Sequence, residues 1–306
     1  MAKRIHQMTF SDWEKTFPDE DSCKAYLARH RWAEGVYCPR CGAFGAYELK
    51  ARPFHWQCTQ CSTHGYRFSV LVGTVFENTN KPLRDWFRVI HLMLTSKKGI
   101  SSHQIYRSLG FGSYETALYM THRIRASMAD EKFRKLIGIV EADETYVGGS
   151  RSNKHRRERG AWHGEYTGRS LTNKSVIAGA VERKGKVVAR VIQNVSADVL
   201  TTFLNEAVSN KVSLICTDTF KGYTRVKKTF RHATVDHSAG EYVRRDLAGV
   251  VHTNTIEGFW SLIKRGIMGT FHKVSRKYLP LYVAEFQWRY NNRLNPDIFA
   301  EAIKGC

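Results

Sequence analysis

Two cysteine pairs constrain this chain more than any other feature: Cys38-Pro39-Arg40-Cys41, sixteen intervening residues, then Cys58-Thr59-Gln60-Cys61. A CxxC knuckle turns two thiolates toward one point. Two knuckles at this separation close a tetrahedral shell around one Zn²⁺, with each sulfur about 2.3 Å away and short strands between them. Tyr37 and Phe54-His55-Trp56 are strand-type residues placed to pack over such a site. The competing use of four cysteines is a pair of disulfides. The start, Met1-Ala2-Lys3-Arg4-Ile5-His6, lacks the apolar stretch of a secretory signal, so reduced thiols and one structural zinc ion are the expectation. His55 and His64 are available as substitutes, but four cysteines already complete the shell. Cys23, Cys216 and Cys306 show no partner spacing and read as ordinary small residues.

The charge points to a polyanionic partner. Lys and Arg number 48 against 28 Asp and Glu, a formal charge of +20 over 306 residues, and nucleic acid is the commonest partner of such a surplus. Residues 1–80 carry 10 basic and 8 acidic groups, whereas 81–306 carry 38 and 20, so most of the excess lies beyond the cysteines. No apolar run approaches the roughly 18–20 residues that span a bilayer, so no membrane partner is expected. The location expected is cytoplasmic and nucleoid-associated.

After the cysteines the pattern turns helical. Trp86, Val89, Ile90 and Met93 recur at helical spacing behind Pro82. Ser101 with Gln104 has the form of a capping box for a short helix through Leu109. Gly110-Phe111-Gly112 makes a tight turn, and Ser113 opens a second helix from Tyr114 to about Ala129. Ala117, Ile124 and Met128 face inward on it, leaving Tyr119, Arg123 and Arg125 as candidate DNA contacts. A short helix, a glycine turn and a basic second helix fit a helix-turn-helix. A plain helical hairpin is the alternative.

Beyond residue 135 the period becomes that of strands. Leu136–Asp143, Lys174–Glu182 and Lys186–Ile192 read as strands, Asp198–Val208 as a helix, and Val212–Asp218 as another strand. Three strands, a helix and a further strand ending in an acid suggest a mixed α/β sheet of the ribonuclease H kind. Asp143 and Asp218 stand at strand ends, where two rigid carboxylates can share divalent cations. Mg²⁺ takes one or two protein carboxylates plus substrate phosphate, and paired ions suit phosphodiester cleavage. Glu141 shares a strand face with Asp143, which makes it the local competitor; Glu144 points the other way. Downstream, Asn254, Glu257, Ser261 and Lys264 fall on one stripe of a helix entered through Thr253 or Asn254, with Phe259 and Ile263 turned to a core. From Gly258 to Ala284 there is no acid, while Lys264, Arg265 and Lys273 supply a basic track.

The blocks Glu141-Ala142-Asp143-Glu144-Thr145-Tyr146-Val147-Gly148-Gly149, Cys216-Thr217-Asp218 and His252-Thr253-Asn254-Thr255-Ile256-Glu257-Gly258-Phe259-Trp260-Ser261 resemble the catalytic core of bacterial DDE transposases of insertion-sequence family 1595. The resemblance runs from about residue 10 to 295. It implies an acidic triad of Asp143, Asp218 and Glu257 holding two Mg²⁺ ions, with Mn²⁺ as a substitute, and accessory roles for Asn254 and Lys264. It also implies binding to double-stranded DNA at the element's terminal repeats, 3′-end hydrolysis, strand transfer into target DNA, and a homodimer or larger assembly on paired ends. The organisation expected is an N-terminal region over 1–75 with the ribbon at 35–70, a helix-turn-helix segment over 80–130, and a ribonuclease H-like catalytic domain over 135–298. The Gly/Arg-rich segment 148–174, with Arg156, Arg157, Arg159 and Arg169, is a candidate DNA-contacting loop. Two rivals are a non-catalytic DNA-binding regulator and a ribonuclease H-like nuclease that cuts without joining.

Overall fold

A computed structural model describes residues 8–61, 64–129, 133–148, 174–246 and 249–306. Arg156, Arg157, Arg159 and Arg169 lie outside the described residues. The chain divides into two compact units, 1–128 with 292–306 and 129–291.

The first unit opens with helices α1 (Phe10–Thr16) and α2 (Glu20–Arg31), each begun by a reciprocal capping box, Thr9 with Asp12 and Asp19 with Ser22. A three-stranded antiparallel sheet follows, β1 (Tyr47–Glu48), β2 (His55–Cys58) and β3 (Tyr66–Ser69). Helix α3 (Leu83–Thr95) buries Trp86, Phe87, Val89, Ile90 and Met93 completely. Pro82 has no side chain able to cap it. Instead the Glu20 carboxylate accepts from the N–H groups of Leu83 and Arg84 at 2.9 and 3.0 Å. Helices α4 (Ser102–Leu109) and α5 (Tyr114–Ser127) form the expected pair about the Gly110 turn, where φ is +62°. The capping box is only half made: Ser101 Oγ accepts from Gln104 N–H, while the Gln104 amide donates to Ser108. The unit's last helix comes from the end of the chain, where Phe299 packs edge-on to Phe87.

The basic face expected on α5 is not there in full. Arg125 is completely buried, on the stripe that also buries Thr121 and Ile124, and cannot meet a duplex. Arg123 is tethered, donating to the carbonyls of Glu77 and Thr74 and to the Tyr119 hydroxyl. Tyr119 is exposed.

The second unit is a five-stranded mixed sheet, ordered β6-β5-β4-β7-β8. Strands β4 (Ile139–Val147), β5 (Ser175–Glu182) and β6 (Val187–Ile192) run antiparallel; β7 (Leu214–Asp218) and β8 (His232–Val235) join parallel to β4. This is the ribonuclease H-like arrangement. Strand β4 starts three residues later than expected, because Gly138 at φ +70° breaks the extended run and leaves Leu136 with a lone bridge to Val208. It also runs on past Asp143 to Val147, held by its ladder with β5, so Asp143 stands in mid-strand opposite Gly179 and only Asp218 ends its strand.

The period of two then sorts side chains between the faces. Val140, Ala142, Ala178 and Ala180 pack toward helix α6 (Ala197–Ala207) through Leu200, Phe203 and Leu204. Ile177, Val181, Val187 and Ala189 pack toward helices α7 (Asn254–Arg265) and α8 (Leu279–Asn291) through Ile256, Phe259, Ile263 and Val283. Odd-numbered residues of β4 therefore face α7. A π-helical stretch, Gly266–Phe271, continues α7. Among the described residues no helix is long and apolar enough to cross a membrane.

Candidate active site

Parallel pairing of β4 with β7 is recorded as Val140 opposite Ile215 and Glu141 opposite Cys216. The same register carried two residues further sets Asp143 opposite Asp218. Both side chains lie on the sheet face that α7 covers. On α7 the buried residues Ile256, Phe259, Trp260 and Ile263 form one stripe, which turns Asn254, Glu257 and Lys264 outward and exposed, with Ser261 half-buried among them. Asn254 stands one turn before Glu257. Lys264 stands about 10 Å beyond it at 1.5 Å per residue.

Asp143, Asp218 and Glu257 share one electrostatic neighbourhood. The Asp143 carboxyl is pushed up to about 6 by its burial, then by the Asp218 and Glu257 charges, against the pull of the Glu144 N–H and the Trp260 indole. Trp260 Nε1 donates to Asp143 Oδ2 at 2.9 Å. This contact needs Gly179, the cross-strand partner of Asp143 on β5: a Cβ there would stand 2.4 Å from the Trp260 ring. Asp218 accepts at Oδ1 from the Phe220 N–H, 3.0 Å. Glu257 Oε1 accepts from the Thr253 hydroxyl at 3.0 Å and lies 3.6 Å from His237 Nδ1.

Glu141 has a different task. Its carboxylate is fully buried and accepts four hydrogen bonds: Arg183 Nε at 2.7 Å and Thr255 Oγ1 at 2.9 Å on Oε1, and the N–H groups of Thr255 and Ile256 at 2.7 and 3.2 Å on Oε2. All of its lone-pair sites are used, so it cannot also hold a cation. It supplies the N-terminal cap of α7, whose neighbour Thr253 makes no side-chain cap. Arg183 also donates to the carbonyls of Val250 and His252. Glu144, on the opposite face, accepts from the buried Tyr223 hydroxyl at 3.0 Å. Trp260, Gly179, Arg183 and His237 went unread in the sequence, because their roles come from pairings across 36 or more residues or, for His237, from a loop lacking any motif.

The metal-ligand chemistry of the cysteines is explicit. The four sulfurs of Cys38, Cys41, Cys58 and Cys61 all lie within 4.8 Å of one another. Cys38 to Cys61 is 3.4 Å and Cys41 to Cys58 is 3.7 Å, close to the ~3.8 Å edge of a tetrahedron with 2.3 Å zinc–sulfur bonds. Gly42, at φ +76°, lets the first knuckle fold back so that its N–H donates to the Cys38 carbonyl. Among the described residues this is the one group of three or more metal-type side chains so closely drawn together.

Comparison with known proteins agrees with this anatomy. Residues 135–291 match the family model of the ISXO2-like transposase domain, and residues 18–64 match that of the transposase zinc-ribbon domain. A protein of transposable element ISH50 in Halobacterium salinarum is 30% identical over 286 residues, covering 90% of this chain and 92% of that one. A transposase-like protein of Haemophilus influenzae is 29% identical over 126 residues, 40% of this chain and 97% of that one. A pre-cleavage Mos1 transpososome aligns over 74% of this chain and 80% of that one at 12% identity, with a TM-score of 0.28, too loose a superposition to bear on the fold. Fold and site thus define a zinc-ribbon protein with a DDE-type transposase domain. The chain belongs to the transposases of insertion-sequence family 1595.

Proposed function

We propose that the protein binds the terminal repeats of its insertion sequence, hydrolyses the phosphodiester at each 3′ end and joins that end to target DNA. The observation that supports this reading is the influence of the Asp218 and Glu257 charges on Asp143, with the two aspartates on the sheet face and Glu257 on the helix that covers it. Three carboxylates with one of them pushed toward neutrality lack positive charge, and the oxygen-only donor set suits Mg²⁺, with Mn²⁺ able to replace it. When bound, two such ions activate the attacking oxygen and neutralise the leaving one.

The chain's own residues do the rest. Trp260 fixes the rotamer of Asp143, Thr253 that of Glu257, and Glu141 with Arg183 holds the start of α7, which carries Glu257. In the first step a water oxygen attacks phosphorus, the P–O3′ bond breaks, and the element keeps a free 3′-hydroxyl. In the second step that hydroxyl attacks a target phosphate and releases the target's 3′-oxygen. Asn254 and Lys264 flank the reacting strand from the stripe of α7, and Arg265 and Lys273 extend the path along the DNA backbone. The zinc ribbon and the α4–α5 pair bind the terminal repeats, through Tyr119 among others, and an assembly of two or more copies holds the paired ends.

The test offers purified protein and Mg²⁺ labelled DNA carrying the element's own ends, with a supercoiled target, beside Asp218→Asn. Joined product from wild type alone is expected. Joining by the variant overturns the site assignment. Cutting without joining points to a nuclease, and binding without either points to a regulator.

A further inference from the structure

A cleft of about 600 Å³ opens beside Asp218, lined by Asp218, Thr219, Phe220, Lys221, His237 and Ser238. Its floor is fixed at both ends to the acidic site. The turn that carries Lys221 begins where the Phe220 N–H binds the Asp218 carboxylate. It ends at Tyr223, buried, whose hydroxyl binds Glu144 on the strand that bears Asp143. Lys221 therefore cannot drift relative to Asp143 and Asp218.

The far wall, at His237, is tied to Glu257. His237 Nδ1 lies 3.6 Å from the Glu257 carboxylate, and Nε2 lies 3.3 Å from the Thr253 hydroxyl, so both ring nitrogens are turned to the α7 side. The Ser238 hydroxyl is taken up by Asp236 at 2.6 Å. What remains to meet a ligand is the ammonium of Lys221 and the hydroxyl of Thr219, both on exposed residues. Among the described residues Lys221 has no ion-pair partner, although it lines the same cleft as Asp218. A cation kept beside acids without being neutralised by them is available to an external anion. Lys264, by contrast, projects from α7 about 10 Å past Glu257.

We propose that this cleft seats a backbone phosphate of the DNA strand next to the scissile one, with Lys221 as its cation and Thr219 as a second donor. This rests on the transposase reading and adds a substrate contact to that site. Ordered this way, the strand runs from Lys221 across the carboxylates toward Lys264, which gives the reacting phosphate a fixed approach.

The test is DNA binding in Ca²⁺, by wild type, Lys221→Gln and Lys221→Arg, with the element's own ends. One lost phosphate contact lowers the slope of log K against log salt by about 0.9. Lys221→Gln is expected to show that loss, and Lys221→Arg to retain the wild-type slope. A scan of single methylphosphonates, each removing one phosphate charge, should weaken wild-type binding at one position beside the cleavage point. That position should be silent in Lys221→Gln. An unchanged slope together with an unchanged scan in Lys221→Gln overturns the proposal. Failure of wild type to cut or join would strike the catalytic reading instead, because the binding measurements need neither reaction.

Discussion

At the scale of single residues, the site trades stability for chemistry. Burial and two neighbouring carboxylates raise Asp143 from an ordinary 3.8 to about 6. An acid whose folded value is raised destabilises the fold as pH climbs from the unfolded value through the folded one, and the penalty is complete above that window. Without added Mg²⁺, Asp143→Asn should therefore melt higher than wild type at pH 7, by up to about 3 kcal/mol, with the gap closing toward pH 4. Thermal melts across that range check this; a lower-melting variant at pH 7 would show that the charge is not strained. Trp260→Phe removes the indole donor together with the outer ring edge that packs over Gly179. Cleavage should fall roughly tenfold or more, as expected for one hydrogen bond to a charged group, and the melting temperature should drop for the space left over Gly179.

At the scale of elements, two helices start on a carboxylate borrowed from elsewhere in their own unit. Glu20 caps α3 and Glu141 caps α7. Neither is legible in sequence, since the local residues, Pro82 and Thr253, suggest either no cap or the wrong one, and the true donor–acceptor pairs span 63 and 114 positions. What was legible obeyed short-range rules. The apolar strands declared themselves by composition and alternation, and the outward stripe of Asn254, Glu257 and Lys264 by the helical repeat. Arg125 misled because burying a guanidinium is costly, so a sequence reading places it outside; α5 buries a stripe wide enough to include it. Glu141→Ala leaves the partly buried Arg183 without its carboxylate and α7 without its cap, and a loss of about 3–5 kcal/mol in urea unfolding is expected. A loss under 1 kcal/mol would mean that α7 is held by its apolar stripe alone.

At the scale of the whole molecule, two kinds of metal chemistry are assigned to two separate units. The cysteine shell is local in sequence and was readable from spacing; the acidic site needs three elements brought together by the sheet, and in the sequence it showed as two acids in apolar strands, the outward stripe of α7 and the family resemblance. Zinc removal by a chelator should raise amide hydrogen exchange across residues 35–70, because a ribbon this small has little else to hold it. Amides of β4, β5 and β7 should stay protected. Equal loosening of both units would contradict a purely structural role confined to the ribbon.

Asp218 is proposed as a ligand to a catalytic divalent ion, and Asp218→Cys tests that role most directly. A thiolate is a poor partner for Mg²⁺ and a tolerable one for Mn²⁺. Cleavage of element ends by this variant should be absent in Mg²⁺ and partly restored in Mn²⁺, while Asp143 and Glu257 are intact. Full cleavage by Asp218→Cys in Mg²⁺ would contradict the assignment.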